Sequence, residues 1–417
     1  MSRERSRTAE RNLALAIGLV CFLVLTFQNC SDGFRSMPIE TSSQVVVAST
    51  PSAAPTATPV SGEASPTPLP LLPVSSLLTA VPWNFKKIFY ASGQSPYNSD
   101  IPPPASNPGS WVQGVYSESV VYSRANKMYY MFFGVSVYCN SGNVARDSIA
   151  LAHSADGLSF TFDRYLIEPN SDVCSPSRVI PATEILQLND PSTLLTLVNG
   201  QETVYMAYTA GIDSGCGNIG MAAFNIGTTG PELNYRNDLY LQPGSYCNSS
   251  GGYGFSRPSL ERVPGGSVLW FDTNLGIFKT PVANVNQLDN STVVNAGVSG
   301  VLDIEVYRIG QYDFLLANGA KGVVDTYTSL GPASWSPFGL ISSTSGQGWD
   351  NSQQGNGQFL VNPDTHQVFF YLAGVDLSGS QYLSIDIGVG TLPVGSDLNQ
   401  QLYQLLCAST NDSSLCP

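Results

Sequence analysis

Charge is what this chain has least of: Asp, Glu, Lys and Arg make up 12% of its 417 residues, about half the quarter usual in soluble globular proteins. So few charged helix formers exclude a coiled coil or an array of helical repeats, and a hydrophobic share of 42% excludes a disordered chain. Histidine is scarcer still. With two, His153 and His366, a three-histidine metal centre cannot form within one chain, and without a clustered C-x-x-C no zinc site is expected. Basic residues number 18 against 31 acidic, for a formal charge of −13. That field repels phosphate, so nucleic acid is not an expected partner. Phosphate-loop spacing is missing, the glycine-rich Gly244–Gly254 included, and so is a G-x-S-x-G nucleophile elbow. What the chain has instead is 39 Gly, 28 Pro, 20 Tyr and 18 Phe, the composition of many short strands and many turns, so an all-β fold is expected.

The N-terminus reads as an address. Arg3, Arg5, Arg7 and Arg11 precede an uncharged apolar run from Leu13 to Phe27, shorter than the ~20 residues of a comfortable membrane span. The ending Leu25-Thr26-Phe27-Gln28-Asn29-Cys30 resembles a bacterial lipoprotein signal, which implies cleavage after residue 29, lipidation of Cys30 and attachment to a membrane. Gln28 and Asn29 depart from the small residues usual there, and an uncleaved N-terminal anchor is the alternative. Ser31, rather than an aspartate, follows the cysteine, and the resemblance then points to the outer membrane of the cell envelope. Residues 30–82 are rich in Ser, Thr, Ala and Pro, a composition that cannot repay its ordering entropy and is expected to be a spacer. Residues 83–417 are the expected folded domain. Six cysteines remain in the exported part, Cys139, Cys174, Cys216, Cys247, Cys407 and Cys416. An even number in an oxidising compartment argues for disulfides; proximity suggests pairing in sequence order, although fifteen connectivities are open.

From Trp83 onward one strand pattern recurs. An opening segment, seen at Ser117–Val121, Asp190–Leu194, Arg257–Leu260, Asp303–Val306 and Gly357–Leu360, is followed each time by a turn and an apolar strand: MYYMFFG, VYMAYTA, VLWFD, YDFLLAN and VFFYLAG. A third strand is clearest at Ser148–His153 and Gly217–Ala223. The openings at 117, 190, 257, 303 and 357 lie 73, 67, 46 and 54 residues apart. In an all-β chain such a period predicts a radial array of small sheets, a five-bladed β-propeller. A β-sandwich or β-helix is the competing architecture.

Two phrases carry a family resemblance: Asp190-Pro191-Ser192 leading into a Tyr-rich strand, and Ile149-Ala150-Leu151-Ala152-His153-Ser154-Ala155-Asp156-Gly157. Together they resemble the five-bladed propeller glycoside hydrolases of the arabinanase, β-xylosidase and invertase type. The resemblance implies a glycan as partner and carboxylates as the chemistry.

In a propeller the innermost strands line one channel, so the openings converge at a mouth. Hydrolysis of a glycosidic bond needs one protonated and one ionised carboxyl, and the candidates are Asp190, Glu305 and Glu118. The resemblance implies an Asp in the first blade, where this chain has Ser117, leaving Glu118 as the substitute. Strand alternation would turn Glu118 away from Ser117 unless a bulge re-aims it. The resemblance also implies an acid in the third blade, where Arg257 stands; Glu305 falls in the fourth. Arg257, Asp303, Ser117, Tyr253 and Trp349 are candidate substrate contacts, the aromatics as stacking platforms alongside Trp111, Tyr116 and Trp335. Plainer readings stand beside these: Asp190 as a turn former, Arg257 as a clasp paired with Asp190 or Asp303, and the aromatics as packing between blades. The competing function is a non-catalytic glycan- or protein-binding propeller. No cofactor is implied; a structural calcium held by axial carboxylates is a third reading. Which sugar is bound, and whether the chain assembles, is not written in the sequence.

Overall fold

The computed structural model describes residues 81–89, 100–106, 110–139, 145–169, 184–212, 217–243, 254–263, 266–273, 275–282, 292–298, 301–309, 312–318, 324–329, 335–342, 349–350, 353–376 and 384–410. The signal at 1–29, Cys30, all but the end of the linker, Tyr253, Cys174, Cys216, Cys247 and Cys416 lie outside the described residues. Cys139 and Cys407 are disulfide-bonded; the expected pairing rests on cysteines outside that set.

Among the described residues the strands fall into five antiparallel groups of four. The first blade is β2 (Ser110–Ser123), β3 (Met128–Cys139), β4 (Ala145–Ser154) and β5 (Thr161–Ile167). The second is β6 (Ile185–Val198), β7 (Gln201–Ile212), β8 (Gly217–Gly227) and β9 (Gly230–Leu241). The third is β10 (Ser256–Val263), β11 (Gly266–Thr273), β12 (Gly276–Val282) and the short β13 (Val294–Asn295). The fourth is β14 (Leu302–Ile309), β15 (Tyr312–Asn318), β16 (Val324–Ser329) and β17 (Trp335–Ser342). The fifth joins β18 (Gln353–Asn362), β19 (Gln367–Asp376) and β20 (Ser384–Thr391) to β1 (Asn84–Phe89), which comes from the other end of the domain. Each apolar run picked out of the sequence is the second strand of its blade. Aromatic and β-branched residues fit that position because it is covered on both faces.

The core is a set of slabs between blades, and the slabs close a ring. Phe132, Ile149 and Leu151 of the first blade meet Val204, Met206 and Tyr208 of the second. Ile219 and Met221 meet Leu260 and Phe271 of the third, whose Trp270 and Ile277 meet Val306 and Leu315 of the fourth. Phe314 and Leu316 pack with Phe359, Phe370 and Leu372 of the fifth, and Phe369, Tyr371 and Ile387 return to Val115, Val120 and Phe133 of the first. Innermost strands β2, β6, β10, β14 and β18 touch in the same cyclic order. A sandwich has no such cycle. The last described element is helix α1 (Asp397–Thr410), the one α-helix among the described residues. Ser396 caps it, its Oγ accepting the Asn399 N–H at 3.3 Å. Asn399 then pins the helix to the fifth blade, accepting from Val368 N at 3.0 Å and donating to the His366 carbonyl at 2.7 Å.

Candidate functional site

Each innermost strand carries the same irregularity near the channel mouth. Along β2 the strand advances three residues, Tyr116 to Ser119, while its partner moves two, Gly134 to Phe132. One extra residue is likewise inserted between Asn189 and Ser192, Ser256 and Ser259, Leu302 and Glu305, and Gly355 and Gln358. Such a bulge bends the strand and re-aims its side chains. In every copy the leading residue is left-handed: Ser117, Asp190, Arg257, Asp303 and Asn356 have φ of 50°, 50°, 47°, 49° and 54°. A non-glycine residue held there costs about 1–2 kcal/mol, and backbone strain of this kind gathers at functional surfaces. The fifth position is therefore Asn356, one residue before the Gly357 that the repeat suggested.

The five bulges enclose a mouth pocket of about 360 Å³, including the part open to solvent. Ser117, Glu118, Asp190, Arg257, Asp303 and Asn356 line it, with Glu305 and Gln358 deeper. The bulge thus brings Glu118 into the same pocket as Ser117, against simple alternation. A polar network ties four blades together. Ser117 Oγ donates to Asp190 Oδ1 at 2.7 Å and Thr209 Oγ1 to Asp190 Oδ2 at 3.0 Å, while Thr209 Oγ1 accepts from Arg257 N at 2.9 Å. The Arg257 guanidinium reaches Asp272 at 3.0 Å and Asp303 at 2.5 Å. The clasp expected of Arg257 is present, with Asp303 as a partner and Asp272 added.

Below the mouth a belt of hydrogen bonds stitches blade to blade. Ser119 Oγ accepts the Thr193 N–H at 2.9 Å, Ser192 Oγ that of Leu260 at 2.9 Å, Ser259 Oγ that of Val306 at 3.0 Å, and Gln358 Oε1 that of Val120 at 2.7 Å. At the fourth junction Glu305 holds the serine position, and the Tyr307 hydroxyl takes the Phe359 N–H instead, at 2.7 Å. Glu305 is thereby released from stitching, and accepts from Ser259 Oγ at 2.9 Å. Beyond it the channel widens into an apolar chamber lined by Leu194, Leu260, Phe359 and, from α1, Leu406.

Burial dominates the electrostatics. It pushes the Glu305 carboxyl up to about 8, against hydrogen bonds from Ser259 and Ser192 that pull it down. Glu118, 4% exposed, is raised well above the carboxylate range by burial and further by Glu305, with its own backbone N–H opposing. No other residue hydrogen-bonds to its carboxyl oxygens. Asp190 is raised by burial, with Arg257 acting in the opposite direction, and Asp272 and Asp147 are each raised by burial to about 6.

Trp349 requires a correction. Expected as a stacking platform, it is buried between the fourth and fifth blades, its ring lying over Gly374 and Gly388 where a Cβ would come within 2.4 and 2.2 Å. Trp335 donates to the Ala296 carbonyl and meets Trp270 edge-on, Trp111 lies against Tyr138, and Tyr116 reaches Asn189. Trp335 and Tyr116 thus reach a neighbouring blade, whereas Trp111 pairs across strands within the first. His153 pairs with Asp163 at 2.6 Å on outer strands. Sequence reasoning missed Thr209 and Asp272. Both lie toward the end of a second strand, opposite Asn189 and Ser256, so aligning the repeats in register would have marked them. Among the described residues no group of three or more His, Cys, Asp or Glu is set to hold a metal ion.

Neither a protein-family model nor a curated protein matches the chain. Solved structures do. One described as a glycoside hydrolase has 10% identity and a TM-score of 0.50, covering 78% of this chain and 96% of its own. This chain shares the fold of that glycoside hydrolase. The GH62 α-L-arabinofuranosidase catalytic domain of Coprinopsis cinerea (14% identity, 74% and 96% covered, TM-score 0.48) and the GH43 endo-arabinanase of Bacillus licheniformis (15%, 65% and 92%, 0.42) are further neighbours. At these identities the likeness is one of fold.

Proposed function

We propose that the chain is an exported propeller, lipid-anchored through Cys30 in the cell envelope, that binds a glycan at the channel mouth and hydrolyses it with Glu305 and Asp190. The observation that carries this reading is the ring of five strained bulges presenting Ser117, Asp190, Arg257, Asp303 and Asn356 to one pocket, with Glu305 beneath. Glu305 is the group suited to give a proton to the leaving oxygen, because burial keeps its carboxyl protonated at neutral pH. Asp190, held in place by Ser117 and Thr209, is the group to take a proton from water. Glu118, pushed up by burial, is a poor base and serves as a binding group. The glycoside hydrolase among the fold neighbours makes a sugar the first ligand to test.

Turnover is tested by incubating the full chain with aryl arabinosides, xylosides and fructosides. Product release is expected, with Asp190→Asn and Glu305→Gln each slowing it by about 10²–10⁴-fold. A second reading, glycan binding without turnover, is favoured by Ser117 at the first-blade position and by the hydroxyls already occupying both Asp190 oxygens. Binding with no release from any substrate selects that reading, and absence of both removes the sugar site. Anchoring is checked separately: Cys30→Ser should move the protein from the membrane fraction to the soluble one.

A further inference from the structure

The chamber beyond Glu305 takes no part in the chemistry argued so far, yet it is roomier than the mouth: its free volume is about 180 Å³, against about 30 Å³. All five blades build it. Val120 of β2, Leu194 of β6, Leu260 of β10, Val306 of β14 and Phe359 of β18 line one space, and Leu406 of α1 joins them. The polar side chains on its wall are engaged within the protein. Gln358 accepts from Val120 N and donates to Ser119 Oγ, the Tyr122 hydroxyl donates to Asp364 at 2.8 Å, and Thr193 Oγ1 lies 2.8 Å from Ser119 Oγ. The Tyr307 hydroxyl takes the Phe359 N–H, Glu261 accepts from Trp270 Nε1 at 2.8 Å, and Arg262 donates to the Leu195 carbonyl. A buried water needs two to four polar partners, and this wall has few to offer. An apolar void of about 150 Å³ stays dry and takes up benzene; the chamber has that character and slightly more room.

We propose that the chamber is a second binding site, separate from the mouth, for a small neutral apolar molecule of one or two rings. It does not depend on what the mouth binds. The driving force is the removal of apolar surface, the ligand's and the wall's, from water. Glu305 stands in the wall that chamber and mouth share, and this gives the occupant a signature. An apolar molecule strips water from that side of the carboxyl and favours its neutral form. The titratable and charged groups of the two spaces are Glu118 and Tyr122 of β2, Asp190 of β6, Arg257, Glu261 and Arg262 of β10, and Asp303 and Tyr307 of β14; β18 brings only the uncharged Asn356 and Gln358. Glu118 and Tyr307 are kept neutral by burial, and Arg257 is paired with Asp272 and Asp303. Binding is therefore at full strength while free Glu305 is protonated, and weakens as pH rises through about 8.

The test is titration of the full chain with fluorobenzene, followed by fluorine NMR. Saturable one-to-one binding is expected; benzene and naphthalene should displace the probe, and glycerol at equal concentration should not. Affinity should fall by up to about tenfold between pH 7 and pH 9, whereas Glu305→Gln, neutral at both, should bind equally well at both. Leu194→Trp, which carries an indole into the chamber, should weaken binding by more than about tenfold. Absence of saturable binding would overturn the proposal. So would displacement by glycerol as effective as by benzene, which would make the space polar, or binding unchanged in Leu194→Trp, which would put the probe elsewhere. Should that variant fail to fold, the wild-type pH dependence decides: equal affinity at pH 7 and pH 9 refutes the chamber as the site. None of these outcomes bears on whether the mouth binds or cleaves a sugar.

Discussion

Glu305 shows what one carboxyl does when a fold buries it without a cation. Its folded pKa, about 8, lies above the unfolded value. The native state therefore binds a proton that the unfolded chain has released, and stability declines as pH climbs from the ordinary Glu pKa through about 8. Replacing it by Gln removes that dependence. The melting temperature of Glu305→Gln, relative to wild type, should thus rise steadily between pH 5 and pH 8, and a flat difference over that range would mean that Glu305 is solvated. Such a residue is legible in sequence only as an acid near an opening. Its protonation comes from the neighbouring blades, because desolvation depends on what covers the side chain and not on its own strand.

At the scale of the element, the bulged innermost strand is the unit that this molecule repeats. The left-handed residue at its head suits Asn and Asp, tolerates Gly and penalises β-branched side chains. Asn356→Gly should accordingly leave stability unchanged or raise it by up to about 1 kcal/mol, whereas Asn356→Val should lower it by about 1–3 kcal/mol in urea unfolding. The belt below makes a separate prediction. Ser192→Ala leaves the Leu260 N–H buried without its acceptor, at an expected cost of about 1–3 kcal/mol. Part of this element could be read directly. Asp190-Pro191-Ser192 and Arg257-Pro258-Ser259 announce it, because the serine recurs where a hydroxyl must reach the next blade; the proline itself favours an extended residue before it, and the left-handed φ of Asp190 and Arg257 is set by the bulge. Ser117-Glu118-Ser119 lacks the proline, so alternation alone pointed Glu118 the wrong way. The Trp349 error has a similar source: an aromatic beside a glycine-rich stretch fits a binding platform or a packed ring equally well, and the glycines that decide, Gly374 and Gly388, lie on two later strands.

For the whole molecule the decisive contact is the last one made. β1 pairs with β20 across some 300 residues of chain, Asn84 opposite Thr391 and Phe85 opposite Gly390, so the first strand completes the last blade. A chain beginning at residue 81 should melt in a single transition like the full protein. One beginning at residue 91 leaves β20 an open edge and should aggregate or lose cooperative unfolding, as followed by light scattering and calorimetry. A truncated chain that melts unchanged would mean that β1 contributes nothing to closure.

The amino-acid order by itself determined the β class, the count of five units and the residues that open four of them, since these follow from local spacing and from side chains that favour extended backbone. Tertiary structure alone decided that β1 serves the fifth blade, that Glu118 enters the mouth, that Thr209 and Asp272 join the network around Arg257, and that Glu305 keeps its proton. Each of these is a relation between strands far apart in the chain. Register, bulge geometry and burial are fixed only when the ring closes and each blade acquires its neighbours.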